Sequence, residues 1–147
     1  MKFNQLIKDA RQELEQSNIK LQENMTYNGV IKSANLLVND KNKEVVQLQI
    51  EIVGPEDVKG KMIKRVFLVD DSYSEQVRKI SMIQIMTLLK DLANVELEEN
   101  ETNETFMIKL FKLSQKPVFV RMKRTPDKKD PSIVYTNYTI YSTAPKQ

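Results

Sequence analysis

The stretch Val46-Gln47-Leu48-Gln49-Ile50-Glu51-Ile52 decides the fold. Val46, Leu48, Ile50 and Ile52 fall on one side of an extended chain, and Gln47, Gln49 and Glu51 on the other. A period of two with one apolar and one polar side is the pattern of a half-buried strand. Outward in both directions the chain keeps that period. Upstream, Asn39-Asp40-Lys41-Asn42-Lys43 has turn chemistry, and before it Tyr27 to Val38 reads as a first strand broken at Gly29. Downstream, Gly54-Pro55-Glu56-Asp57 ends the strand, and after Gly60 a third runs from Lys61 to Val69. Its alternation is assigned with Met62, Val66 and Leu68 on the core side and Ile63, Arg65, Phe67 and Val69 outward.

Beyond this three-stranded unit the period changes to that of a helix. Ser72 and Glu75 have capping-box spacing, which predicts a helix from about Tyr73 to Ala93. Val77, Ile80, Met82, Ile83, Ile85, Met86, Leu88, Leu89 and Leu92 make it apolar around much of its circumference, so it is expected to plug a core or a sheet end. A loop rich in Asn and Glu follows, then a short helix from about Glu104 to Leu113 with Phe106, Leu110 and Leu113 on one side. Lys116-Pro117 opens a fourth strand, with Val118, Val120 and Met122 inward and Phe119, Arg121 and Lys123 outward. After the loop Arg124 to Pro131, Ile133 to Tyr141 forms the last strand, rich in β-branched and aromatic residues. At the other end, Phe3, Leu6, Ile7, Ala10 and Leu14 recur at helical spacing, which predicts an amphipathic helix from Phe3 to about Ser17.

The result is a mainly β chain with helices, its strands ordered three, then helices, then two. That is the order of the OB-fold, a five-stranded, partly open barrel. Gly29 and Gly60 stand where a small barrel needs bends or bulges. An α+β sandwich with one covered sheet face has the same order. The chain of 147 residues is expected to form one structural domain, with residues 1–24 as a helical appendage on an OB-like body of residues 25–147.

Composition narrows the chemistry. With no His and no Cys, imidazole catalysis, His- or Cys-ligated metal and disulfides are excluded. With three Gly there is no phosphate-cradling Gly-rich loop. Asp70-Asp71 is the pair most like a magnesium site, but its place just before Ser72 favours charge complementarity with a helix N-terminus. A non-enzymatic protein without cofactor or metal is expected. No run nears the roughly 20 apolar residues of a membrane span, and Met1-Lys2-Phe3-Asn4-Gln5 lacks the apolar region of a signal peptide, so the cytoplasm is the expected location and a membrane is not an expected partner. Net charge is +3 but lopsided: residues 105–147 hold nine Lys/Arg against two acids, while the first 104 sum to −4. Such asymmetry favours an anionic partner for the C-terminal part, against the plainer reading of a solvated charged face. Glu96, Glu98, Glu99, Glu101 and Glu104 form an acidic stretch, read as a solvated loop or, alternatively, as a cover over a basic groove or a contact for a basic partner.

The chain resembles the OB-fold single-stranded-DNA-binding proteins of bacteriophages. The resemblance covers roughly residues 25–142 and rests on Tyr27-Asn28-Gly29-Val30-Ile31, the polar-faced second strand, Gly60-Lys61, and Gln115-Lys116-Pro117-Val118-Phe119-Val120 with its basic hairpin. It departs in ending Ala144-Pro145-Lys146-Gln147 instead of in an acidic, partner-recruiting tail. The resemblance implies largely sequence-independent binding of single-stranded DNA, in the host cytoplasm, during phage replication, recombination or repair. Single strands are held by cations along the phosphates and flat side chains under the bases. In an OB-fold the second and third strands and the 1–2 and 4–5 loops do this. That predicts Lys41 and Lys43 in the first loop and Lys64, Arg65 and Phe67 on the third strand. The fourth strand and its hairpin supply Phe119, Arg121, Lys123, Arg124, Lys128, Lys129 and Tyr135, with Tyr141 a further aromatic. Phe67 and Phe119 have an alternative role as core residues. Replication or recombination proteins are the expected protein partners, and an edge strand or the N-terminal helix offers a route to a homodimer. The rival reading is a protein-interaction module, such as a virion component or an inhibitor of a host protein.

Overall fold

The computed structural model describes residues 3–18 and 20–145. Helix α1 (Phe3–Asn18) precedes strands β1 (Tyr27–Val38), β2 (Glu44–Gly54) and β3 (Met62–Leu68). Helices α2 (Glu75–Ala93) and α3 (Asn103–Phe111) follow, then β4 (Pro117–Pro126) and β5 (Val134–Tyr141). The strands form one five-stranded antiparallel open sheet in the order β3-β2-β1-β4-β5. Directions alternate across that order, so the two edges, β3 and β5, run parallel to each other, and they lie in contact.

Local chemistry explains the joints. Asn39 Oδ1 accepts hydrogen bonds from the Lys41 and Lys43 N–H groups, 3.0 Å each, and Asn42 sits at φ 60°, so this Asn-rich turn folds β2 back on β1. Gly60, at φ +95°, reverses the chain into β3. At Gly29 the ladder shifts register, and a Cβ there would lie 2.8 Å from Ile50 Cγ2. Only glycine lets β1 approach β2 so closely at that point. Beyond the second irregularity, at Ile31–Ser33, Gln115 N–H donates to the Ile31 carbonyl at 2.6 Å and Ile31 N–H to the Lys116 carbonyl at 3.0 Å, which lays β4 beside β1.

The core occupies the sheet face that β2 defines. Val46, Leu48, Ile50 and Ile52 are buried, as their period predicts, together with Val118, Val120 and Met122 of β4. Burying a side chain of this size contributes about 1.5–3 kcal/mol. Ile85, Leu88 and Leu89 of α2 and Phe106, Leu110 and Leu113 at α3 complete the cluster.

Three expectations change. The phase of β3 is the reverse of the assigned one: Ile63 and Phe67 face the core, paired with Ile50 and Val46, while Met62, Val66 and Leu68 are half-buried on the other face. Helix α2 is capped by Ser74, whose Oγ accepts from Val77 N–H at 3.3 Å, not by Ser72. It buries one stripe and leaves Val77, Ile80, Ile83 and Met86 exposed, so it lies against the sheet rather than plugging it. Leu21, ahead of β1, belongs to the core, and Glu23 forms a bridge with Met122 of β4. Tyr27 is buried, with its hydroxyl accepting from Gln22 N–H at 2.7 Å. Helix α1 exposes Phe3, Leu6, Ile7 and Leu14. Among the described residues no helix is long and apolar enough to cross a membrane.

Candidate nucleic-acid interface

The approach of β3 to β5 creates the most distinctive surface. Three adjoining cavities share lining residues and run end to end along it. The first is lined by Lys20, Leu21, Lys61, Met122, Arg124, Thr136 and Tyr138. Thr136 and Tyr138 carry on into the second, with Lys64, Arg65, Val66, Asn137 and Thr139. Arg65 and Thr139 carry on into the third, closed on one side by Ile83, Gln84, Thr87 and Leu88 of α2. Five cations line this cleft, and among the described residues no Asp or Glu does. Cations gathered along low-dielectric walls concentrate positive potential and attract polyanions.

The sheet sets which side chains reach it. On β4, Phe119, Arg121 and Lys123 point away from buried Val118, Val120 and Met122, as the sequence predicts. Their register partners on β5 are Tyr141, Thr139 and Asn137, and Tyr135 lies opposite Thr125. The outer face of the β4–β5 hairpin therefore carries two successive cations, Arg121 and Lys123, flanked by Phe119 and Tyr141 at one end and by Tyr135 at the other. Lys64 and Lys123 are exposed and carry no hydrogen bond or ion pair among the described residues. Arg121 Nε donates to Thr26 Oγ1 at 2.9 Å, and Arg124 donates from its side chain to the Leu21 carbonyl at 3.3 Å. Tyr135 is 52% exposed, and its hydroxyl donates to Asp127 Oδ2 at 2.8 Å, which raises its pKa. Asp127, held low by hydrogen bonds from Lys129 N–H, the Tyr135 hydroxyl and Asp130 N–H, thus organises the loop that carries Lys128 and Lys129.

Of the residues the sequence singles out, Lys64, Arg65, Phe67, Arg124 and Tyr141 line the cleft, with Phe119, Arg121, Lys123 and Tyr135 on the outer face of the hairpin. Phe67 is corrected from the outer face to the core side: at 2% exposure it belongs to the core and borders the third cavity under the Arg65 guanidinium that stacks on it. Lys41 and Lys43 line no part of the cleft. Lys43 is engaged instead, donating to Ser72 Oγ and lying 5.1 Å from the Tyr73 ring centroid. Asp70 fixes that corner: hydrogen bonds from the Ser72 side chain and from the Glu44 and Ser72 N–H groups lower its pKa to about 2. Asp71 pairs with Arg78 at 3.6 Å.

The acidic stretch does not cover the cleft. Glu96 pairs with Lys90 at 2.9 Å, and Glu101 accepts from Glu98 N–H and Lys109, so the segment ties α2 to α3. Lys20, Lys61, Tyr138 and Gln84 are the cleft residues that sequence reasoning missed. A period reports which face a residue takes, whereas a gap between two strands distant in sequence leaves no local signal. No protein-family model matches the chain, and no curated protein matches it.

Proposed function

We propose that the protein binds single-stranded nucleic acid, DNA in the first instance and with little sequence preference, along the β3–β5 cleft and the outer face of the β4–β5 hairpin. The observation that carries this reading is the cleft itself, lined by five cations and, among the described residues, by no carboxylate. Phosphates would follow Lys64, Lys123 and Arg124, and bases would stack on Phe119, Tyr141 and Tyr135, each stack adding on the order of 1–3 kcal/mol. The strand order, with β3 and β5 brought edge to edge, supports an OB-like barrel. The likeness to bacteriophage strand-binding proteins supports a role in phage replication, recombination or repair. The protein acts by binding rather than catalysis, a reading supported by the absence of His and Cys.

The test is a titration of a labelled thymidine oligonucleotide at several salt concentrations. Log affinity should fall with log salt at a slope of about −0.7 per phosphate neutralised. The double variant Lys64→Glu, Lys123→Glu should lose most of that affinity with its denaturation midpoint unchanged. Absence of binding at low salt, or equal affinity for duplex, overturns the reading.

A protein-interaction module remains the second reading, favoured by the apolar side chains that α2 and α3 expose, among them Ile80, Ile83, Ile108 and Phe111. Under that reading the double variant keeps its function.

A further inference from the structure

Arg65 is the least expected member of the cleft. Reversal of the β3 phase turns it toward the core side, where its guanidinium stacks on Phe67 with Cζ 4.3 Å from the ring centroid. One terminal nitrogen donates to the Val66 carbonyl and the other to Gln84 Oε1 at 3.1 Å. A guanidinium has five N–H donors, so the stack and these two bonds fix its plane while leaving donors at its edge. Among the described residues no carboxylate lies within ion-pairing distance of it. Burial lowers its pKa, which marks the charge as poorly solvated there. A partly desolvated cation without a counter-charge is costly in isolation. The cavity beside it, of about 230 Å³, is lined also by Thr139 and Tyr141, whose hydroxyls have no hydrogen-bond partner among the described residues. Ser142 is turned away to Asp91, at 2.9 Å.

We propose that this cavity is a phosphate subsite, with the fixed Arg65 fork as its anchor and the Thr139 and Tyr141 hydroxyls as additional donors. A planar fork held in place suits bidentate binding of two phosphate oxygens. A phosphate neutralises the charge that burial penalises, which a stacked base does not. The cavity is smaller than the roughly 300–1,000 Å³ of pockets that enclose whole drug-sized ligands, as suits one anionic group. The inference rests on the strand-binding reading only for the source of the phosphate: an internal phosphodiester, a strand terminus or the free ion.

The experiment follows the Arg65 Nε–Hε resonance of the isotope-labelled full chain during titration with inorganic phosphate, against sodium chloride at matched ionic strength. A saturable shift at Arg65 with phosphate alone is the expected result. Two thymidine oligonucleotides, with and without a 5′-phosphate, are then added in parallel with an anisotropy measurement of binding. Equal shifts at Arg65 assign the site to internal phosphodiesters, and a shift only with the phosphorylated strand assigns it to a terminus. Arg65→Lys, which keeps the charge but not the fork, should weaken oligonucleotide binding about tenfold. Oligonucleotide binding with Arg65 unmoved by all three ligands overturns the subsite and leaves strand binding standing. A shift with inorganic phosphate and no oligonucleotide binding does the reverse. No response to any ligand overturns both.

Discussion

Phe67 and Phe119 are chemically identical and take opposite roles because of the strand each one occupies. Phe67 faces the core opposite Val46, whereas Phe119 stands half-buried on the outer face opposite Tyr141. Phe67→Ala should therefore cost about 3–5 kcal/mol of stability in chemical denaturation. Phe119→Ala should reduce oligonucleotide affinity by about 1–3 kcal/mol, with a smaller loss of stability. The sequence distinguishes these two poorly for a physical reason. On β4 the apolar residues alternate with Arg121 and Lys123, so only one phase can bury the core. On β3 both faces are apolar, Ile63 and Phe67 inward, Val66 and Leu68 outward. Leu68 lies opposite Val45, itself buried outside the main core cluster. A strand half-buried on both faces carries no phase of its own, and β2 supplies it through pairing.

Elements here are joined by carboxylates as much as by apolar contact. Glu101, 14% exposed, is drawn down to a pKa of about 2 by the Glu98 N–H, Lys109 and the Thr105 side chain, and so holds the α2–α3 connection. Asp70 does the same between the β1–β2 turn and the approach to α2. Both pKa values lie below those of the unfolded chain, near 4. Each group thus contributes stability that is complete above about pH 4 and is lost as pH falls through about 2. Carbon-detected titration should show both carboxyls with midpoints near 2, and Glu101→Gln should make the amide protection factors across residues 94–102, corrected for intrinsic exchange, insensitive to pH over that window. The sequence predicts the elements joined in this way, and their order, closely. It misplaces the cap of α2 because Ser72 and Ser74 both offer a hydroxyl before the helix, and the tertiary contact of Ser72 with Lys43 and Asp70 leaves the capping to Ser74.

At the scale of the whole molecule, the cleft gathers five cations on one side of the sheet, while α1, α2 and α3 expose many of the apolar side chains, among them Leu6, Ile80, Ile83 and Phe111. Of the acids, Asp70 and Glu101 are taken up in joints between elements, and among the described residues none lines the cleft, although the net charge is only +3. The walls of that cleft, β3 and β5, are the two ends of the sheet order, some seventy residues apart along the chain. Each presents one edge with no strand neighbour, the place where a sheet frays first. A polyanion lying between them would act as a clasp, joining by charge two margins that the backbone leaves unjoined. Because only the folded sheet, with β3 beside β5, offers both sides of the clasp, ligand at one hundred times Kd should add about 2.7 kcal/mol to stability. Hydrogen exchange should slow at residues 62–68 and 134–141 together, rather than at either strand alone.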